Sequence, residues 1–176
     1  MSRQFWQETI SWSTASGTAV TATTEAILFP NVTISANYMQ DGRAIELFIF
    51  GQFSNIVTTP GTVTFKIRWG GVAGTVIAQT AAISLNTVAQ TNQMFSIEAL
   101  LQTRLNGSAG TLMGTGVNTM GVEATAAPHF MGSAGAASPA AVTVDLTADT
   151  ALSITAVFSL TGNSAQGLNY VIKSLN

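Results

Sequence analysis

The chain has 176 residues, of which six are basic and eight acidic, for a net charge of −2. A soluble domain ordinarily carries roughly 25% Asp, Glu, Lys and Arg. The 8% found here provides no basic field to neutralise phosphates, which excludes duplex nucleic acid as a partner, and the absence of cysteine excludes disulfides, thiolate metal sites and cysteine nucleophiles.

Forty Ser and Thr residues occupy polar positions that charge would otherwise fill. Such neutral, hydroxyl-rich surfaces point to a subunit that meets other protein. One domain accounts for the length. The first eight residues, Met1 to Glu8, offer one basic residue and then polar and acidic ones, so no secretory signal is expected. Residues 69–97 are uncharged, but Thr75, Gln79, Thr80, Ser84, Asn86 and Gln90 interrupt them, so no membrane-spanning helix is expected and no membrane partner follows.

Residues 1–24 combine Phe5, Trp6, Ile10 and Trp12 with a Ser/Thr/Ala run and read as an extended N-terminal arm preceding a domain at 25–176. Short strands are expected at 26–29 and 31–36. Ala44 to Phe50 alternates Ile45, Leu47 and Ile49 with Glu46, Phe48 and Phe50, so both faces become apolar towards Gly51 and that end should be covered on both sides. Thr62 to Trp69 is the clearest strand, with Val63, Phe65, Ile67 and Trp69 opposite Thr62, Thr64, Lys66 and Arg68.

Further strands are expected at 75–85, 94–105, 110–114 and 141–146. Met94 to Leu105 also fits helical spacing, and its polar face of Ser96, Glu98, Gln102 and Arg104 decides for a strand. Residues 121–140, rich in Ala and Gly with Pro128 and Pro139, read as a long loop. The last two strands, 152–160 and 168–173, should pair through Thr161-Gly162-Asn163-Ser164. Asp41-Gly42, Pro60-Gly61, Gly70-Gly71 and Asn106-Gly107 supply tight reversals. Many short strands with regular turns argue for an all-β fold, an antiparallel two-sheet β-sandwich of jelly-roll type.

Four runs carry a resemblance: Asp41-Gly-Arg-Ala-Ile-Glu-Leu-Phe-Ile-Phe-Gly51, Gly61-Thr-Val-Thr-Phe-Lys-Ile-Arg-Trp-Gly-Gly71, Phe95-Ser-Ile-Glu-Ala-Leu-Leu-Gln-Thr-Arg-Leu-Asn-Gly-Ser-Ala-Gly110, and Val144-Asp-Leu-Thr-Ala-Asp-Thr-Ala-Leu-Ser-Ile-Thr-Ala156. Together, over residues 40–175, they resemble a recurring type of tailed-bacteriophage virion protein. The resemblance implies a jelly roll made in the host cytoplasm and located on the capsid surface of the virion. There it would act as a decoration or cement protein, a homotrimer bound to the major capsid protein. A tail or fibre component of the same fold is the alternative, and a carbohydrate-binding jelly roll a more distant one.

Candidate sites follow from residue type. His129 is the sole histidine, with Glu123 the one carboxylate within ten residues, so a contact role is favoured over a metal site or general base. Asp145 and Asp149 lack the glycine and terminal Glu of a calcium loop and read as turn formers. The glycines from Gly107 to Gly116 are followed by no Lys and open no helix, which removes a phosphate loop. No catalytic residue, cofactor or metal is therefore expected, and the chain reads as a non-enzyme. Phe5, Trp6, Ile10, Trp12, His129 and Phe130 are the expected capsid or subunit contacts. Glu46, Lys66, Arg68, Glu98 and Arg104 are the candidate intersubunit polar contacts.

Overall fold

A computed structural model describes residues 7–121, 124, 128–133, 135 and 139–175. Strands make up about 60% of the described residues, and no helix occurs among them. In chain order they are β1 (Gln7–Trp12), β2 (Ala26–Ile27), β3 (Val32–Ile34), β4 (Ala44–Asn55), β5 (Thr62–Trp69), β6 (Thr75–Thr80), β7 (Ile83–Ser84), β8 (Gln90–Leu105), β9 (Gly110–Met120), β10 (His129–Gly132), β11 (Val142–Val144), β12 (Thr150–Phe158) and β13 (Ser164–Leu175).

Period-two alternation decides which face each strand buries. Ile45, Leu47 and Ile49 on β4, Phe65 and Ile67 on β5, Phe95 and Ile97 on β8, and Leu152, Ile154 and Phe158 on β12 all enter one core. Every pairing between the named strands is antiparallel, and the hydrogen-bonded order runs β1-β13-β4-β8-β9-β10-β6-β5-β12-β2. The sheet curls so that its two halves face each other. Phe65 lies 4.9 Å from Phe95, Phe53 6.2 Å from Phe158, and Phe29 4.8 Å from Tyr170, ring centre to ring centre. Aromatic pairs at these separations contribute beyond their buried area.

The fold is thus all-β and antiparallel, as expected, and a single hydrogen-bonded path runs through the curled sheet from one half to the other. The link is β10, which pairs with β9 through His129–Asn118 and Phe130–Val117 and with β6 through Met131–Thr80. These residues fall inside the stretch read as a long loop, whose Ala/Gly composition hides four residues of strand. The expected hairpin between the last two strands is also replaced. β12 pairs with β5, β2 and β3, whereas β13 pairs with β4 and β1. The connecting turn crosses between the halves, anchored by Asn163, which is 1% exposed and donates to the Pro60 and Leu160 carbonyls at 2.7 and 3.2 Å.

The described part of the arm lies along β13. Trp12 is paired with Val171, and the chain continues with Ser13 N–H donating to the Tyr170 carbonyl, Gly17 N–H to that of Gly167, and Val20 exchanging two bonds with Ala165. It then crosses to the other half, where Ile27 pairs with Thr155. A single segment therefore caps both ends of the strand path. Phe5 and Trp6 lie outside the described residues.

Candidate functional site

Register places side chains on the outer face of β1, β13, β4, β8, β9 and β10 in transverse rows. One row reads Trp12, Val171, Phe48, Glu98, Val117, Phe130, each the direct cross-strand neighbour of the next. Six strands at about 4.8 Å span roughly 24 Å. Glu98 is the one charged member, and the row ends on Trp12 and Phe130, which are 60% and 62% exposed. Beside it Lys173, Glu46 and Leu100 form a second row and Asn169, Phe50 and Ser96 a third. The Lys173 ammonium lies 5.7 Å from the centre of the Phe48 ring, within reach of a cation–π contact.

This face is shallowly concave. A hollow of about 460 Å3 is bordered by Trp12, Phe48, Phe50 and Val171. Another of about 400 Å3 lies between Phe48, Glu98, Val117 and Phe130. Met94 and Phe50 continue the apolar surface towards Met120.

A second apolar surface occupies the loop end beyond β4, where Ile56, Val57, Val88 and Leu160 are exposed. Two buried amides hold these loops in place. Asn55 Nδ2 donates to the carbonyls of Ile56, Asn86 and Val88 at 3.0, 2.6 and 3.2 Å, and Asn163 Oδ1 accepts from Ile56 N–H at 3.2 Å. Thr58 adopts φ +70°, an uncommon conformation for a β-branched residue. Its N–H donates to the Thr87 carbonyl at 2.9 Å, which ties the two loops together.

The outer face of β5 and β12 is organised differently. Glu25, one residue before β2, accepts from Lys66 Nζ at 2.8 Å, from Arg68 Nε and Nη2 at 2.5 and 2.8 Å, and from Thr155 Oγ1 at 2.5 Å. The three charged side chains are largely covered, at 14% to 18% exposure. Burial on its own would raise the Glu25 carboxyl, but hydrogen bonds from Arg68, Lys66 and Thr155 and the Arg68 charge outweigh it and bring the pKa down to about 2. The same bonds raise Arg68 further.

No protein-family model and no curated protein matches the chain. The arrangement itself therefore carries the functional argument. Among the described residues, no three His, Asp or Glu side chains gather as metal ligands.

The fold brings Trp12, Glu46, Glu98 and Phe130 onto one face, although they come from four different strands. Ile10, in the β-bulge of β1, turns half-buried against the core. His129 alternates with Phe130 on β10, beside Asn118. Lys66 and Arg68 are held by Glu25 of the same chain, on the other half of the sheet. Arg104 is exposed near the end of β8, away from the aromatic row.

Sequence reasoning missed Phe48, Val171 and Lys173 on the open face and Glu25 in the ion cluster. A signal for Phe48 existed in the two apolar faces of Ala44 to Phe50. Only one of those faces is buried by the described residues. Glu25 carried no pattern of its own, because its partners lie 41 and 43 residues away.

Proposed function

We propose that this chain is a non-enzymatic structural subunit of a tailed-phage virion, a jelly-roll decoration or cement protein that associates with copies of itself and binds the capsid exterior. One observation carries the reading: the exposed large apolar side chains are segregated. Trp12, Phe50, Met94 and Phe130 fall on the outer sheet face, and Ile56, Val57, Val88 and Leu160 fall at the loop end, with Leu105 outside both. Contiguous apolar patches of this kind mark interaction sites on soluble proteins.

Two separate surfaces suit a subunit that must contact a neighbour and a shell at once. The loop end is the surface assigned to the major capsid protein, since its tips are uncharged and pre-ordered by Asn55 and Asn163. Ordering the loops in advance lowers the entropic cost of binding. Desolvating neutral Thr- and Val-rich loops carries no charge penalty, and each buried Å2 of apolar surface contributes about 25 cal/mol.

Counting copies in purified particles tests the reading. Hundreds of copies per virion, with particles less heat-resistant when the chain is absent, are expected. Tens of copies or fewer would move it to the tail or a fibre. Particles equally resistant without it would remove the cement role.

A further inference from the structure

We propose that the outer face of β13 and β4 is a self-association surface, on which a second copy of this chain packs across a two-fold axis parallel to the strands and midway between β13 and β4. The inference rests on the assembly reading and deepens it, by naming the occupant of the sheet face and leaving the loop end to the larger particle.

The argument starts from register. Lys173 pairs directly with Glu46, and Val171 with Phe48. Trp12 flanks Val171 on one side, and Glu98 flanks Phe48 on the other. Rotation about the stated axis exchanges β13 with β4 and β1 with β8. Lys173 then faces Glu46 of the second copy, and Glu46 faces its Lys173. Val171 packs on the other Phe48, and the Trp12 indole N–H comes opposite the Glu98 carboxylate, an acceptor with no ion pair among the described residues.

An isologous interface has to be complementary to itself. The choice of axis follows from charge. A two-fold axis along β4 would lay Glu46 on its own symmetry mate, whereas the axis between β13 and β4 sets each charge of the Lys173 and Glu46 row against its opposite. Covered charges are tolerated only when paired. A lipid surface is a poor occupant because the face presents Glu46 and Glu98 against the single amine of Lys173. A foreign protein would have to carry the charge complement of the Lys173 and Glu46 row, which a second copy supplies by symmetry.

With the row of Gln166, Gln52 and Met94 as the fourth, four strands about 4.8 Å apart and four rows about 6.8 Å apart cover roughly 500 Å2 per copy. Stable interfaces bury about 800 Å2 per partner, so the pair is expected to be weak and concentration-dependent, and to be seen at about 50 μM or above.

Sedimentation equilibrium on the full chain tests this. The expected wild-type species has twice the 18.2 kDa chain mass. Glu46→Lys puts two lysines in the row and Lys173→Glu puts two glutamates there, so each variant alone should be monomeric. Mixed in equal amounts, they should recover a heterodimer of near wild-type affinity, which a defect confined to either chain would not produce. Circular dichroism establishes that each variant is folded. Should either fail to fold, Val171→Glu on the half-buried centre of the face is the second probe, expected to weaken association at least about tenfold.

A wild-type monomer at that concentration, a trimer, single variants that self-associate like wild type, or a mixture that stays monomeric would each overturn the pairing. Particle binding is read separately. A monomeric chain that still decorates particles refutes the two-fold pair and leaves the capsid reading standing, whereas a dimer that binds no particle does the reverse.

Discussion

The two outer faces of this sheet begin from similar material and end in opposite states. Over β5 and β12 the chain closes on its own charges: β2 pairs along the edge of β12, and from there the Glu25 side chain reaches over to Lys66, Arg68 and Thr155. Over β13, β4 and β8 nothing of the described chain lies on the sheet, and an apolar row with single charges faces outward. Three charged groups are tolerable under cover because they satisfy one another. The large apolar side chains left uncovered by the described residues are where the second copy proposed above would pack.

The largest effect expected from breaking the closed face is that of Glu25→Ala. It leaves Lys66 and Arg68 covered without their counter-ion, which costs about 3 kcal/mol or more, measured as a lower urea midpoint at neutral pH. Acid should act on the same group. The Glu25 carboxyl lies at 4.5 in the reference state and at about 2 in the fold, so its contribution is complete above pH of about 4.5 and is lost as pH falls towards 2. The difference corresponds to on the order of 3 kcal/mol. Urea titrations between those limits should show stability falling with pH, with a flatter profile for Glu25→Gln.

A change in the core between the two halves should have a smaller effect. Gly51 pairs with Gly167 on β13 and with Phe95 on β8, and a side chain at Gly51 would run into the Phe95 ring. Gly51→Ala should therefore destabilise by about 2 kcal/mol, read from thermal unfolding. The smallest effect on folding is expected on the open face. Phe50→Ser and Met94→Ser should alter stability by no more than about 0.5 kcal/mol. A large loss would mean that this face is held by the chain itself, and the contrast between the faces would fail.

Much of the strand content was legible because burial on one face imposes a period of two. Thr62 to Trp69 buries Val63, Phe65, Ile67 and Trp69 as its alternation predicts, and the ambiguous Met94 to Leu105 lies within the strand β8. β10 was illegible. His129–Gly132 has one large exposed residue, one buried methionine and a buried glycine, too little alternation to register as a strand. The site was partly legible in the same sense: Trp12 and Phe130 could be singled out as aromatic residues outside the core pattern, but no local feature relates positions 12 and 130.

The amino-acid order by itself determined the all-β character, the neutral surface and which side of each long strand is buried, since those depend on neighbours two residues apart. The tertiary structure alone decided which strands lie side by side, and so which half of the sheet the chain covers for itself. Pairing depends on contacts between residues far apart in the chain. That is why Glu25 reaches Lys66 and Arg68 while Phe48, Glu98 and Val171 come together on the face left open.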